Sequence, residues 1–112
     1  MKINNNDNLT YLKSLTIDHI PNGRQNAVRC KDLAYWIGVS PRVIRRLVQY
    51  LRDDGYPICS TTSDGYWFAV LPEELDSTIK LLEHQRETID ATLESLRETR
   101  DYLEMVEETD EY

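Results

Sequence analysis

Cysteine, histidine, glycine and proline are scarce in this sequence, and long apolar runs are missing from it altogether. Two cysteines, Cys30 and Cys59, stand far apart without a Cys-x-x-Cys spacing, and His19 and His84 stand alone. Such a set lacks the clustered spacing a zinc site requires, so no metal ligand is assigned. Both thiols read as reduced and structural, because each falls beside expected core positions where a small sulfur group packs well. No stretch approaches the roughly 20 consecutive apolar residues of a membrane-spanning helix. Met1 to Asn8 is polar and Asn-rich rather than basic and then apolar, so a secretory signal is not expected either, and the reading is of a cytoplasmic protein. There is no glycine-rich phosphate loop and no nucleophile with a base at recognisable spacing, which argues against an enzyme and against a cofactor. Both histidines are expected to face solvent.

What is present is charge, unevenly placed. The net charge of −7 would argue against a nucleic-acid partner if it were spread evenly, since such a partner needs cations brought to its phosphates. From Met1 to Pro72 there are nine Lys or Arg against six Asp or Glu, and from Glu73 to Tyr112 four against fourteen, so the two parts carry +3 and −10. Between Arg24 and Arg52 the excess is sharper. Arg24, Arg29, Lys31, Arg42, Arg45, Arg46 and Arg52 face only Asp32 and form the expected basic patch.

Periodicity divides the chain at the same place. Leu9, Leu12, Leu15 and Ile17 predict a helix over Asn8 to Ile20, stopped by Pro21-Asn22-Gly23. Ala27 and Val28 suit a short extended piece, and Leu33, Ala34 and Ile37 share one face of a second helix over Lys31 to Ile37. Gly38 can end it in a left-handed conformation, after which Ser40 can cap a third helix with Pro41 in its first position. From Pro41 to Arg52 the residues Ile44, Leu47, Val48 and Leu51 repeat at i, i+3, i+4 and i+7, leaving Arg42, Arg45, Arg46 and Gln49 outside. Two β-like runs follow, Tyr56 to Ser60 and Tyr66 to Val70, joined by a polar tip. In the second run Tyr66, Phe68 and Val70 alternate with Trp67 and Ala69, so one set is expected to pack on the helices and the other to be partly exposed. Leu71-Pro72-Glu73-Glu74 then opens a helix expected to run to about Glu108, with no Gly or Pro to interrupt it. The fold class is therefore mainly α with a small β-hairpin (α+β), as a head over residues 1–71 and a long acidic amphipathic helix over residues 72–112.

Two helices that cross at a sharp angle need a small residue where they touch and a corner residue tolerant of unusual dihedrals. Ala34 and Gly38 fill those roles, with Leu33, Ile37, Val39, Ile44 and Leu47 inward. This stretch resembles the helix-turn-helix. The run from Leu33 to Leu47, followed by Asp54-Gly55-Tyr56-Pro57-Ile58, resembles the winged-helix domains of the biotin operon repressor type and is similar to short proteins of phages and prophages of Gram-positive bacteria. The resemblance covers about Asn8 to Val70. It implies a third helix that enters the major groove of double-stranded DNA and a wing that touches backbone. On this chain the implied DNA-facing residues are Ser40, Arg42, Val43, Arg45, Arg46 and Gln49, with Arg29 and Lys31 placed for phosphates. Pro41 stands where the family commonly has an acidic or polar residue, and the wing tip carries no Lys or Arg. Trp36, Tyr66, Trp67 and Phe68 have the chemistry of stacking platforms for single-stranded bases, but aromatic residues in such elements more often pack a core.

Along the last helix Leu75, Ile79, Leu82, Arg86, Ile89, Leu93, Leu96, Arg100 and Leu103 follow alternating spacings of four and three, the seam of a coiled coil. The expected occupant of this seam is a second copy, giving a homodimer whose two heads read two half-sites. Arg86 and Arg100 in the seam select register or orientation. The alternative is that Leu75 to Leu82 folds back on the head while the chain from Arg97 onward frays. Two functions fit these patterns: a DNA-binding regulator of transcription or replication, and a protein-interaction adaptor that uses the winged helix as scaffold and the last helix to recruit a partner. Neither involves a membrane.

Overall fold

The computed structural model describes residues 5–110; residues 1–4 and 111–112, which hold half of the expected polar start and the last of the acidic end, lie outside the described residues. The chain is mostly helical with one two-stranded antiparallel hairpin, and it divides into two compact units, Met1–Thr78 (the head) and Ile79–Tyr112 (the tail). No helix among the described residues is long and apolar enough to cross a membrane.

The head opens with α1 (Asn5–His19), followed by a single 3-10 turn (Arg24–Asn26), α2 (Cys30–Ile37) and α3 (Pro41–Asp53). The side chain of Thr16 is fully buried and donates to the carbonyl of Leu12 at 2.7 Å, so the hydroxyl enters the core without an unmet hydrogen bond. His19 departs from its expected solvent-facing position. Its Nδ1 donates to the Leu15 carbonyl at 2.7 Å, and its half-buried ring lies 6.4 Å from that of Trp36.

Between α2 and α3 the chain turns at Gly38, which sits in the left-handed region with φ 85°. A Cβ here would meet nothing within 4 Å, so the backbone angle alone demands glycine. The amides of Gly38 and Val39 both reach back to the Ala34 carbonyl, closing α2 tightly. Two residues on, the Ser40 hydroxyl accepts from the Val43 amide at 3.2 Å, and Pro41 takes the first helical position. Leu33, Ala34, Ile44, Leu47, Val48 and Leu51 meet behind this corner and form most of the core, together with Ile20, Val28 and Ile58. Each Leu, Ile or Val side chain among them contributes about 1.5–3 kcal/mol by leaving water.

The strands are shorter than expected and shifted inward. β1 (Ile58–Thr61) begins late because the Tyr56 amide closes α3 on the Leu51 carbonyl and Pro57 has no N–H to give. β2 (Gly65–Phe68) ends early because the Val70 amide is taken by the Glu74 carboxylate. The pairing sets Ile58 opposite Phe68 and Cys59 opposite Trp67. On its other edge β2 meets the extended segment before α2. Val28 and Tyr66 exchange both backbone hydrogen bonds, at 2.9 and 2.8 Å, while Phe68 bonds to Pro21 and Gly23. Residue 28 approaches so closely that a Cβ on Gly65 would collide with the Val28 carbonyl oxygen.

Of the run Tyr66 to Val70, the set that packs on the helices leaves only Val70 exposed, and the set that alternates with it is partly exposed only at Ala69. Tyr66 and Phe68 are half-buried against the helices, and Trp67 on the opposite face is 2% exposed. The start of the last helix covers that second face. There the Cys59 thiol donates to the Glu74 carbonyl at 3.4 Å and the Ser60 amide to the Thr78 hydroxyl at 3.2 Å. Both cysteines are free thiols, and burial pushes that of Cys59 up from its ordinary pKa.

The last helix, α4, runs without interruption over Glu74–Asp110 and is about 55 Å long at about 1.5 Å per residue. Glu74 fixes its start: one carboxylate oxygen accepts the backbone N–H groups of Val70 and Leu71 at 2.5 and 2.7 Å. Those two bonds, with a smaller contribution from the Trp67 indole, hold its carboxyl below the usual range.

Candidate nucleic-acid interface

Packing decides which of the head's cations are free. Arg52 follows Val48 by four residues on α3 and so sits at the edge of the buried face. Its Nε donates to the Ile58 carbonyl at 2.9 Å and a terminal nitrogen to the Ser60 hydroxyl at 3.0 Å. Desolvation lowers its pKa from the ordinary value, so this guanidinium is a strut between α3 and β1 rather than part of a surface patch. Arg24 is likewise engaged: it pairs with Asp64 at the hairpin tip at 2.9 Å and lies 5.6 Å from the centre of the Trp67 ring. Lys13 on α1 bonds to Asp54 at 2.7 Å and lies 6.0 Å from the Tyr50 ring. The expected basic patch is therefore smaller than the sequence suggested, because Arg24 and Arg52 serve the hairpin.

The remaining cations keep outward positions. Arg42, Arg45, Arg46 and Gln49 are exposed on α3, and Arg29 and Lys31 are exposed at the start of α2. Among the described residues none of these five cations pairs with a carboxylate. The two groups are brought together at one point: the Cys30 thiol donates to the Pro41 carbonyl at 3.5 Å, so the start of α2 lies beside the start of α3. Helix starts expose unpaired backbone N–H groups and carry partial positive charge, which adds to the side-chain charge there.

Two of the expected DNA-facing residues have structural duties. Ser40 is exposed, but its oxygen caps α3, which commits one lone pair and fixes the side chain while leaving the hydroxyl proton and the second lone pair. Val43 is half-buried against the core, between exposed Arg42 and fully buried Ile44, one turn beyond the corner where α2 and α3 meet. On β2 the half-buried Tyr66 feels the field of Arg45. Burial pushes its phenol up and the neighbouring Cys30 adds to this, while the fields of Arg52 and Arg45 oppose it.

Sequence periodicity gives little weight to the outer side of α2. Tyr35 is 84% exposed and Trp36 55% exposed, two large aromatic groups on one short helix. Their outward direction was readable from the inward spacing of Leu33, Ala34 and Ile37, but their joint exposure was not. The hairpin tip holds no cation of its own, and its one charged residue, Asp64, is taken by Arg24. In the tail, the seam residues Ile79, Leu82, Arg86, Ile89, Leu93, Leu96, Arg100 and Leu103 are all exposed, and Leu75, in the head, is half-buried. Compared with protein-family models, with curated proteins and with solved structures, the chain matches none of them.

Proposed function

We propose that this chain is a DNA-binding protein whose head is a winged helix-turn-helix of the biotin operon repressor type, acting as a homodimer in phage or prophage transcription or replication control. The observation that carries the reading is the set of unpaired cations on α3. Arg42, Arg45 and Arg46 stand exposed beside Gln49 with no carboxylate among them, while the head's other arginines and Lys13 are either engaged or placed at the start of α2. A surface helix selected only for solubility commonly mixes both signs, whereas a helix that lies in a major groove needs cations for phosphates and forked donors for base edges. Arg29 and Lys31 then meet backbone phosphates, and the wing contributes little, having no free cation. The acidic tail repels DNA and confines binding to the head.

The test is duplex affinity measured across salt for the unaltered chain and for Arg45→Ala with Arg46→Ala. Both guanidiniums are exposed, so the double variant keeps its fold, checked by thermal unfolding. Its affinity falls by about tenfold or more, and the salt slope of log affinity weakens by about one unit for each phosphate no longer neutralised. Unchanged affinity in the folded double variant removes the reading. The adaptor reading has its own support in exposed Tyr35 and Trp36, a pairing of aromatic groups common at protein interfaces. It predicts weak DNA binding that the two arginines do not affect.

A further inference from the structure

The tail presents a seam of exposed apolar residues interrupted by two arginines: Ile79, Leu82, Ile89, Leu93, Leu96 and Leu103 are all exposed on a helix that runs unbroken to Asp110. The direction of its partner follows from two arginines. In heptad terms Ile79, Arg86, Leu93 and Arg100 occupy one column of the seam, and Leu75, Leu82, Ile89, Leu96 and Leu103 occupy the other.

We propose that the seam is filled by a second copy of the same helix running in the opposite direction; this deepens the homodimer reading above and rests on it. In a parallel pair in register each column faces itself, so Arg86 meets Arg86 and Arg100 meets Arg100 across the axis. The residues that would flank those layers from the partner, Gln85 and Thr99, carry no negative charge to offset the repulsion. In an antiparallel pair the two columns face each other. A pairing centred on Ala91 sets Arg86 opposite Leu96 and Arg100 opposite Leu82, while Ile79 meets Leu103 and Ile89 meets Leu93. Every one of these layers then holds at least one aliphatic side chain, and no arginine meets another. Each arginine lays its methylene stem along the opposing leucine and carries its charged end out to water. Arg100 already turns its guanidinium away from the seam, to Asp101 at 3.1 Å, and Arg86 is in no ion pair among the described residues.

Distances between paired spin labels read the direction, and the pairing centred on Ala91 sets the values expected. Labels are attached to Lys80→Cys, Glu94→Cys and Asp101→Cys in the full chain, all exposed positions off the seam, with the unaltered chain as the thiol background. The antiparallel pair separates its two labels along the axis by about 33 Å at residue 80, about 9 Å at residue 94 and about 30 Å at residue 101. A long, short, long profile is the expected result. One short distance at all three positions overturns the antiparallel assignment and keeps the homodimer; absence of any paired-label signal at micromolar concentration overturns the homodimer itself. Replacing Arg86→Leu and Arg100→Leu together removes the parallel clash, so short distances then appear at residue 80. A profile unchanged in that variant overturns the assignment of direction to the arginines.

Discussion

Two helical stretches of this chain carry the same kind of pattern and meet different fates. In α3 the inward aliphatic residues are sealed, with Ile44 0% exposed, whereas in the tail Ile89, at an equivalent place in its own stripe, is 59% exposed. Spacing states which side of a helix seeks burial but not what will cover it. For α3 the cover comes from α1, α2 and β1 of the same head; in the tail no described residue of that unit covers the stripe. The same contrast divides the charges. The head's cations are sorted by packing into struts and free groups, while the tail's charges along its exposed helix are almost all solvated.

The comparison is broken most severely by attacking the head at its tightest approach. Gly65→Ala places a methyl group against the Val28 carbonyl at a residue whose φ is 97°, and should destabilise the head by about 3 kcal/mol or more. Both tryptophans lie in the head, so their fluorescence should report an earlier head transition in denaturant while far-UV ellipticity retains the tail's share. A single concerted shift of both signals would mean that the two units do not unfold separately.

A smaller effect sharpens the division of labour within α3. Arg52→Ala removes two charge-assisted bonds to β1 and should cost about 2 kcal/mol, while Arg46→Ala, with no partner to lose, should change stability by less than about 0.5 kcal/mol. Urea midpoints of the two variants check this. Equal losses would show that Arg52 is as dispensable to the fold as its exposed neighbour.

The smallest effect concerns the joint at the start of α4. The folded state holds Glu74 below its ordinary carboxylate range, so its contribution is fully present above that range and is lost as pH falls through the depressed value. Glu74→Gln weakens the acceptor without emptying the place. Thermal unfolding followed from neutral pH down through about pH 4 should show the unaltered chain more stable at neutrality and the two curves converging on acidification. A constant gap at all pH values would assign the difference to something other than the carboxylate's charge.

Much of this arrangement was legible in the residues. The helix boundaries near Gly38, Ser40 and Pro41 follow from local chemistry that acts within a few residues, and they lie where the sequence places them. The hairpin ends were misjudged because groups of the flanking helices claim the deciding hydrogen bonds: the Leu51 carbonyl of α3 takes the amide of Tyr56 and the Glu74 carboxylate of α4 takes that of Val70. Arg52 was read as surface charge for a related reason. A helical repeat marks it as borderline between faces, and only the position of β1 reveals two acceptors within its reach. Trp67 is sealed where partial exposure of one set was expected, because a strand's alternation assumes one covered face and here the start of α4 lies against the other.

The bond pair between Val28 and Tyr66 has a consequence for recognition. Arg29 follows Val28 directly in the chain, and the next residue, Cys30, bonds to the Pro41 carbonyl, so hairpin, helix start and α3 are tied through one short stretch of chain. A surface assembled this way is pre-organised: whatever grips it need not freeze a loose loop first, and less of the interaction energy is consumed as ordering entropy.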